Sequence, residues 1–131
     1  MNKRILIVSK GNICRSPLAH GLLDQKVIEH NLPWTIDSAG TGHWHIGKLP
    51  DERSIKVAKE HDLDITYQRA RQFGVVDFGL LDIIYVMDKQ NYQKVSEMAP
   101  TEEALDKVSL IMNELTPGKD QDVPVIHFTM E

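Results

Sequence analysis

The chain has 131 residues, of which 41% are hydrophobic and 26% are charged. This is enough material for one hydrophobic core, so we expect a single domain over residues 1–131. The net charge of −4 argues against a broad basic surface for nucleic acid, and the longest apolar runs fall far short of the roughly 20 residues that span a bilayer. We therefore expect no nucleic-acid or membrane partner, and an anion must bind in a small local site.

Cys14 is the only cysteine of the chain, which excludes an internal disulfide. The first four residues run directly into a strand-like segment and contain no apolar stretch of the kind that a secretory leader needs. Both features favour a reducing compartment, and we expect the protein to be cytoplasmic.

The first half of the chain predicts a strand, a helix and a second strand. Residues 5–8 form a continuous β-branched apolar run, which is typical of a strand that is covered on both faces. Ser16 and Pro17 suit the N-cap and first positions of a helix, and apolar residues then recur at helical spacing up to Asn31. Residues 34–40 predict the second strand.

The second half continues the alternation of strands and helices. Residues 41–50 read as a loop, and Asp51 suits the cap of a helix that extends to about His61. Residues 80–87 predict a third strand with Asp88 at its carboxyl end, where it either caps a helix or supports a neighbouring loop; residues 108–112 predict a weaker fourth strand. The pattern predicts an α/β fold with an open, parallel, doubly wound, Rossmann-like sheet of about four strands, and ligands beyond their carboxyl ends.

The segment between Val8 and Pro17 is a candidate anion-binding loop. A short glycine-containing turn between a strand and a helix directs backbone N–H groups and the positive end of the helix dipole at one point. Arg15 adds a guanidinium fork, Gly11 allows a close backbone approach, and Asn12 tolerates left-handed geometry. Taken alone, a Gly-Asn turn followed by Arg is also typical of an ordinary connection between a strand and a helix.

A longer string carries a more specific signal. Residues 8–17, Val-Ser-Lys-Gly-Asn-Ile-Cys-Arg-Ser-Pro, closely resemble the signature of the low-molecular-weight protein tyrosine phosphatases. Residues 36–41, 70–72 and 85–88 resemble further segments of that family, so the resemblance extends from residue 4 to about residue 124. It implies cleavage of phosphotyrosine by a cysteine nucleophile, with an arginine on the phosphoryl oxygens and an aspartic acid that protonates the leaving phenol.

The resemblance also implies the binding residues. Arg15 is expected to clamp the phosphoryl group, and Trp44 is expected to form the aromatic wall of the substrate pocket rather than to pack in the core. The backbone cradle is expected to comprise Lys10, Gly11, Asn12, Ile13, Cys14, Arg15 and Ser16. The expected ligands are a phosphotyrosine protein or a small aryl phosphate, with inorganic phosphate or sulfate also held in the loop. No cofactor is expected, and His43 and His45 lack metal-ligating neighbours, so no metal is expected either.

Ser9 departs from the family pattern, because the family places its nucleophilic cysteine six residues before the arginine. A serine hydroxyl stays protonated without a base, whereas a thiol near a helix start ionises readily. We therefore predict little or no turnover, while phosphate binding survives because the neutral Ser9 does not repel a dianion. Cys14 cannot replace Ser9 as nucleophile at the same spacing, because the residue six positions after it is His20 and not an arginine. We expect Cys14 to be a buried, inert thiol. Gln68 stands where many members have a loop-bracing histidine.

The end of the chain is a second departure. Val125 stands where the resemblance would place the general acid, and Asp122 or Asp120 is only a weak substitute, because a solvated acidic loop is the simpler interpretation. Too few residues follow Pro124 for the family's final helix. We expect a missing helix to leave an apolar strip uncovered, which favours self-association.

Three functions remain open at this point. The first is a phosphotyrosine-type phosphatase scaffold with reduced or absent activity. The second is a non-catalytic module that binds phosphate or phosphotyrosine. The third, an arsenate reductase, needs further redox cysteines, and this sequence has none beyond Cys14.

Overall fold

The computed structural model of the chain describes residues 2–123 as a parallel four-stranded sheet with flanking helices. The strands are β1 (Lys3–Ser9), β2 (Trp34–Gly40), β3 (Ile83–Val86) and β4 (Val108–Leu110), in the order β2-β1-β3-β4. All three pairings are parallel. The predicted open, doubly wound α/β sheet is confirmed. The expected absence of a final helix falls on residues 124–131, outside the described residues.

Alternate side chains of β1 enter two different cores. Leu6 and Val8 belong to the larger cluster, together with residues of β3, β4 and the helices on that face. Ile5 and Ile7 belong to a smaller cluster that packs against the first helix. All four side chains are nearly or fully buried, which explains why the sequence of β1 is continuously apolar instead of alternating.

The longest helix is α1 (Arg15–Glu29), which directly follows the loop after β1. It begins two residues earlier than predicted: Cys14 occupies the N-cap, and Ser16 lies inside the first turn. Ser16 is no cap because its hydroxyl is directed at the side chains of Ser9 and Asn12. Pro17 remains compatible with the first turn, where backbone N–H groups have no intrahelical acceptor.

The helical spacing predicts one buried face and one polar face for α1, and this is only partly correct. Ala19, Leu23 and Val27 pack against the smaller core, whereas Leu22 is 49% exposed and Ile28 is 78% exposed. The apolar residues do recur at helical spacing, but the apolar stripe that they form is wider than the surface that the sheet covers.

Two predicted strands are shorter in the structure. Leu80 ends a short helix, α3 (Asp77–Leu80), so β3 begins only at Ile83. β4 stops at Leu110, and a 3-10 turn follows at Ile111–Glu114. Both errors come from apolar residues that lie in a short helix or a turn next to a strand, which periodicity alone does not distinguish from strand residues.

The three remaining helices of the described residues each begin at a side-chain cap. Asp51 caps α2 (Glu52–Glu60), as predicted, by accepting a hydrogen bond from the Arg53 backbone N–H at 2.8 Å. Asp88 caps α4 (Lys89–Glu97), and Thr101 caps the short α5 (Glu102–Leu105). No helix within residues 2–123 is long and apolar enough to cross a membrane.

The end of β2 packs tightly against the loop that follows β1. A Cβ atom at Gly40 would lie 2.8 Å from the Lys10 carbonyl oxygen and 3.1 Å from the Asn12 Cβ atom. Two backbone hydrogen bonds, Thr41 N–H to Ser9 O at 2.9 Å and Gly42 N–H to Lys10 O at 2.9 Å, hold the segments together. Glycine at position 40 is therefore required by space.

We predict that Gly40→Ala destabilises the protein by about 2 kcal/mol, because the neighbouring atoms are backbone and cannot move away cheaply. Gly74→Ala is the matched control, since a Cβ atom there meets nothing within 4 Å, and its effect should stay within about 0.5 kcal/mol. Urea unfolding of the two variants measures the difference. Equal midpoints would show that the loop yields to the extra methyl group.

Candidate active site

A pocket of about 280 Å³ opens at the carboxyl end of β1, where an open parallel sheet is expected to bind its ligand. The loop between β1 and α1 forms its floor. The structure brings together nearly all of the predicted site residues, which line the pocket with one addition: Ser9, Lys10, Gly11, Asn12, Ile13, Cys14, Arg15, Trp44 and His45. Ser16 lies behind this layer, buried at the start of α1.

Asn12 determines the shape of the loop. Its φ of 58° is in the left-handed region, as the sequence suggested. Its buried side chain donates from Nδ2 to Ser16 Oγ at 2.7 Å and accepts at Oδ1 from the Arg71 backbone N–H at 3.1 Å. One side chain thus links the loop to the first turn of α1 and to the segment that follows α2.

Ser9 lies at the base of the pocket and is almost fully buried. Its Oγ atom is 2.8 Å from Ser16 Oγ and accepts a hydrogen bond from the Asn12 backbone N–H at 3.2 Å. No hydrogen bond between described residues occupies the backbone N–H of Lys10, Gly11, Ile13 or Cys14. These groups are therefore available to an anion above Ser9.

Arg15 stands at the first position of α1 and its side chain is 11% exposed. One terminal nitrogen donates to Asp88 Oδ2 at 2.9 Å, and the other donates to the Val123 carbonyl oxygen at 2.9 Å. Two of the five guanidinium N–H groups are used in this way, so the others remain for a ligand. Asp88 also accepts from the Asn91 backbone N–H through Oδ1, so it serves both alternatives considered above, helix cap and support of the site.

Two neighbouring segments brace the loop from outside. The Asp51 backbone N–H donates to the Ile13 carbonyl oxygen at 2.8 Å. Gln68 is buried, and its Nε2 donates to the Pro17 carbonyl oxygen at 3.0 Å, while its Oε1 has no hydrogen-bond partner among residues 2–123. Gln68 therefore contacts the start of α1 rather than the loop itself.

Trp44 forms an exposed wall at the rim of the pocket. It is 58% exposed, which excludes the alternative of core packing. The His43 ring stacks on it with centroids 5.4 Å apart, and the Lys10 ammonium lies 5.6 Å from the centroid of the Trp44 ring. His45 also lines the pocket, next to Gly11: a Cβ atom on that glycine would lie 3.2 Å from His45 Cδ2.

Cys14 corrects one expectation, because it is only partly buried and lines the pocket. Its place at the N-cap leaves the thiol at the surface of the loop instead of in the core. Partial burial is the largest influence on this thiol, and it raises the pKa of Cys14 above its ordinary value in spite of opposing effects from Ser54, Arg53 and Arg15. The thiol is therefore protonated at neutral pH.

The structure does not bring the acidic residues of the chain end into the pocket. Asp122 accepts from the Lys89 backbone N–H at 2.9 Å, so it lies at the start of α4. Asp120 accepts from the Asn113 side chain at 3.0 Å. Neither belongs to the residues that line the pocket. Val125 lies outside the described residues.

Sequence reasoning missed His45 as a pocket residue and the ion-pair network behind the loop. The Arg71 guanidinium is 2.9 Å from carboxylate oxygens of both Asp37 and Asp77. Burial opposes the charge of Arg71, but the hydrogen bonds and charges of the two carboxylates prevail and raise its pKa. Residues so far apart in sequence give no local signal that they meet. Within residues 2–123, no group of three or more His, Cys, Asp or Glu side chains is arranged to hold a metal ion.

An apolar groove of about 380 Å³ lies beside Arg15, between α1 and the 3-10 turn at Ile111–Glu114. Leu22 is half exposed there and Leu115 is 77% exposed. The rest of the groove is lined mainly by Leu18, Ala19, Met87, Ile111, Met112 and Val123. An uncovered apolar strip on α1 is therefore present in the part of the chain that the structure describes.

A parallel α/β sheet whose first strand leads through an arginine-bearing amide loop into a helix is the architecture of a phosphate-binding protein. Comparison with known proteins makes this specific. The model of the family described as low molecular weight phosphotyrosine protein phosphatase matches residues 4–125. The chain belongs to this family and has the scaffold of its enzymes.

Individual relatives agree. The low molecular weight phosphotyrosine protein phosphatase of Schizosaccharomyces pombe is 37% identical over 120 residues, which cover 89% of this chain and 76% of that protein. Vibrio vulnificus Wzb in complex with benzylphosphonate has a TM-score of 0.81 at 31% identity and covers 94% of this chain and 80% of its own. The Drosophila arginine phosphatase DARP has a TM-score of 0.87 at 32% identity, and the match covers 97% of this chain and 82% of DARP.

We predict that alkylation of Cys14 by iodoacetamide is slow at pH 7 and is still accelerating above about pH 8.5, the ordinary pKa of a thiol. The rate increases with pH in this range because the thiolate is the reactive form and the pKa of Cys14 is raised. Mass spectrometry of the chain measures the rate, and millimolar phosphate should slow it since Cys14 lines the pocket. A rate that is already at its plateau at pH 7 would contradict the raised pKa.

Proposed function

We propose that the pocket binds phosphate monoesters of the phosphotyrosine type. The observation that carries this proposal is the position of Arg15 at the start of α1, where this residue lines the same pocket as the residues of the loop. The amides and the helix dipole supply directed partial positive charge, and the arginine supplies a forked donor for two phosphoryl oxygens. Trp44 at the rim offers an apolar wall for an aromatic leaving group.

We place Ser9 at the nucleophile position. In an enzyme with cysteine there, the thiolate sulfur would bond to phosphorus while the ester P–O bond breaks, and its electron pair would leave on the phenolic oxygen, which takes a proton from an acid. Water would then attack the thiophosphate and release phosphate. Among the described residues, the hydrogen-bond partners of the Ser9 oxygen are the Ser16 hydroxyl and the Asn12 backbone N–H, and neither is a base. This supports little or no turnover by the chain as it stands.

The proton donor for the leaving group is a separate matter. Of the described residues that line the pocket, none is a carboxylate, and Asp122 is engaged at the start of α4. Asp122 therefore remains a candidate only if the segment around it moves toward the pocket. The proposal for binding does not depend on this residue.

The second candidate function is a module that holds phosphotyrosine without cleaving it. Ser9 favours this function because a neutral hydroxyl at the base of the pocket does not repel a phosphate dianion as a thiolate would. The groups that would bind the phosphoryl oxygens are the backbone amides and Arg15, and these do not require a nucleophile. Phosphate or sulfate should occupy the same place.

A related protein is an arginine phosphatase, so phosphoarginine is a further substrate class to test. The rim of this pocket favours an aryl group over a guanidinium. The positive charge of Lys10 lies next to Trp44, where a cationic leaving group would be repelled.

Three expectations about the whole chain remain part of the proposal. Residues 1–131 are taken as one phosphatase-like domain, and the compartment is taken as the cytoplasm because the lone Cys14 suits a reducing environment. Self-association through the apolar groove on α1 is supported by its exposed leucines.

The activity prediction concerns position 9. Ser9→Cys should raise the hydrolysis of 4-nitrophenyl phosphate by at least about 100-fold, because a thiolate forms readily near a helix start and Ser16 Oγ is placed to donate to it. This ester has a good leaving group and therefore needs little help from an acid. Parallel assays with phosphotyrosine and phosphoarginine peptides identify the substrate class. An inert Ser9→Cys variant that still binds phosphate would contradict the placement of Ser9.

The binding prediction concerns Arg15. The unaltered chain should bind a phosphotyrosine peptide saturably, and Arg15→Ala should weaken this by at least about 30-fold, the range of a lost charge-assisted hydrogen bond to a buried anion. Isothermal titration calorimetry measures both. Arg4→Ala is the matched control, because Arg4 is an exposed arginine in β1 that pairs with Asp82 away from the pocket. Equal affinities for all three proteins would refute the arginine clamp.

A further inference from the structure

The rim of the pocket is cationic although the chain as a whole is acidic. Lys10 and Arg15 both line the pocket, and His45 adds ring N–H donor capacity, while no described lining residue is a carboxylate. The net charge of the chain is −4, so its overall field repels acidic ligands. An attraction for acidic ligands at this site must therefore come from local charges.

Lys10 is the charged residue at the outer edge of the rim. It is exposed, in contrast to Arg15, whose charge is turned inward to Asp88 and Val123. Its backbone is fixed, because its carbonyl oxygen accepts the Gly42 N–H at 2.9 Å. Its ammonium lies over the Trp44 ring at 5.6 Å from the centroid, a cation–π arrangement that keeps the charge beside the aromatic wall.

This position suits contact with residues that flank a bound phosphotyrosine. The phosphoryl group would lie at the base of the pocket, on the amides and Arg15, and the phenol would rest at the rim beside Trp44. The chain on either side of the tyrosine then passes the rim, within reach of a lysine side chain. None of the ion pairs between described residues involves Lys10.

Resting on the phosphate-binding function proposed above, we propose that Lys10 is a specificity-determining residue that makes the site prefer phosphotyrosine flanked by acidic residues. The lysine does not take part in bond breaking. It selects among substrates through the charge of their neighbouring residues, and the preference is expected to weaken with salt, since the pair is exposed to solvent.

The test uses two fluorescein-labelled peptides that differ only in the flanks of one phosphotyrosine, four glutamates in one and four glutamines in the other. Fluorescence anisotropy with the unaltered chain at about 20 mM ionic strength should show the acidic peptide binding about fivefold tighter, the upper range of a single exposed ion pair. At about 300 mM ionic strength the preference should fall below about twofold.

Lys10→Gln should bring the two affinities within about twofold of each other, and this ratio is the readout whatever the variant does to the affinity of the glutamine peptide. Lys48→Gln is the matched control, because Lys48 is an exposed lysine in the loop that carries Trp44 but does not line the pocket, and this variant should retain the preference. Lys10→Arg should also retain it.

The outcomes separate this inference from the proposed function. If neither peptide nor free phosphotyrosine binds, the phosphate-binding function is refuted and the inference falls with it. If both peptides bind equally to the unaltered chain, or if Lys10→Gln keeps the preference, Lys10 is not the determinant although the function stands. If Lys10→Gln and Lys48→Gln lose the preference for the acidic peptide equally, the preference comes from the general positive charge around the pocket, which also overturns the role of Lys10.

Discussion

The geometry of the site depends on the side chain of Asn12. A loop that turns a strand into a helix within five residues needs a left-handed residue, and its backbone N–H groups face a ligand only if nothing in the protein accepts them. Asn12 meets both needs, because its own conformation makes the turn and its amide ties the loop to Ser16 and Arg71. The binding groups are thereby positioned before a ligand arrives, which lowers the ordering cost of binding.

The hydrogen bond from the Arg71 backbone N–H to Asn12 holds the loop only if Arg71 is itself held in place. Its side chain bridges Asp37 on β2 and Asp77 at the start of α3, and the Asp77 carboxylate is almost fully buried. Two carboxylates around one guanidinium in a partly buried setting fix the backbone N–H that Asn12 accepts. The loop is therefore held by three elements that are distant in sequence, and a change at any of them reaches the pocket without touching a ligand.

Much of this could be predicted from the sequence, for reasons that differ between elements. The apolar run of β1 and the helical spacing of α1 are local signals, and the loop string from Val8 to Pro17 is specific because each residue type has a separate mechanical task. The predicted limits of β3 were wrong because apolar residues in turns resemble strand residues. The predicted N-cap of α1 was wrong because the Ser16 hydroxyl forms hydrogen bonds with Ser9 and Asn12 instead. His45 and the network around Arg71 gave no local signal, since only the tertiary fold brings them to the loop.

Binding and turnover rest on different atoms of the same loop. The groups placed to hold a phosphoryl group are backbone amides and Arg15, and their positions follow from Asn12, from Asp88 and from the packing of Gly40 against Lys10. On the proposed function, turnover requires in addition a single atom at position 9 that ionises. The Ser9 hydroxyl lies between Ser16 and the Asn12 N–H, so it takes part in the hydrogen bonds of the loop, but it is neutral where the proposed reaction needs a thiolate. On the proposed function, the scaffold loses its chemistry at one atom while the groups proposed to hold phosphate stay in place.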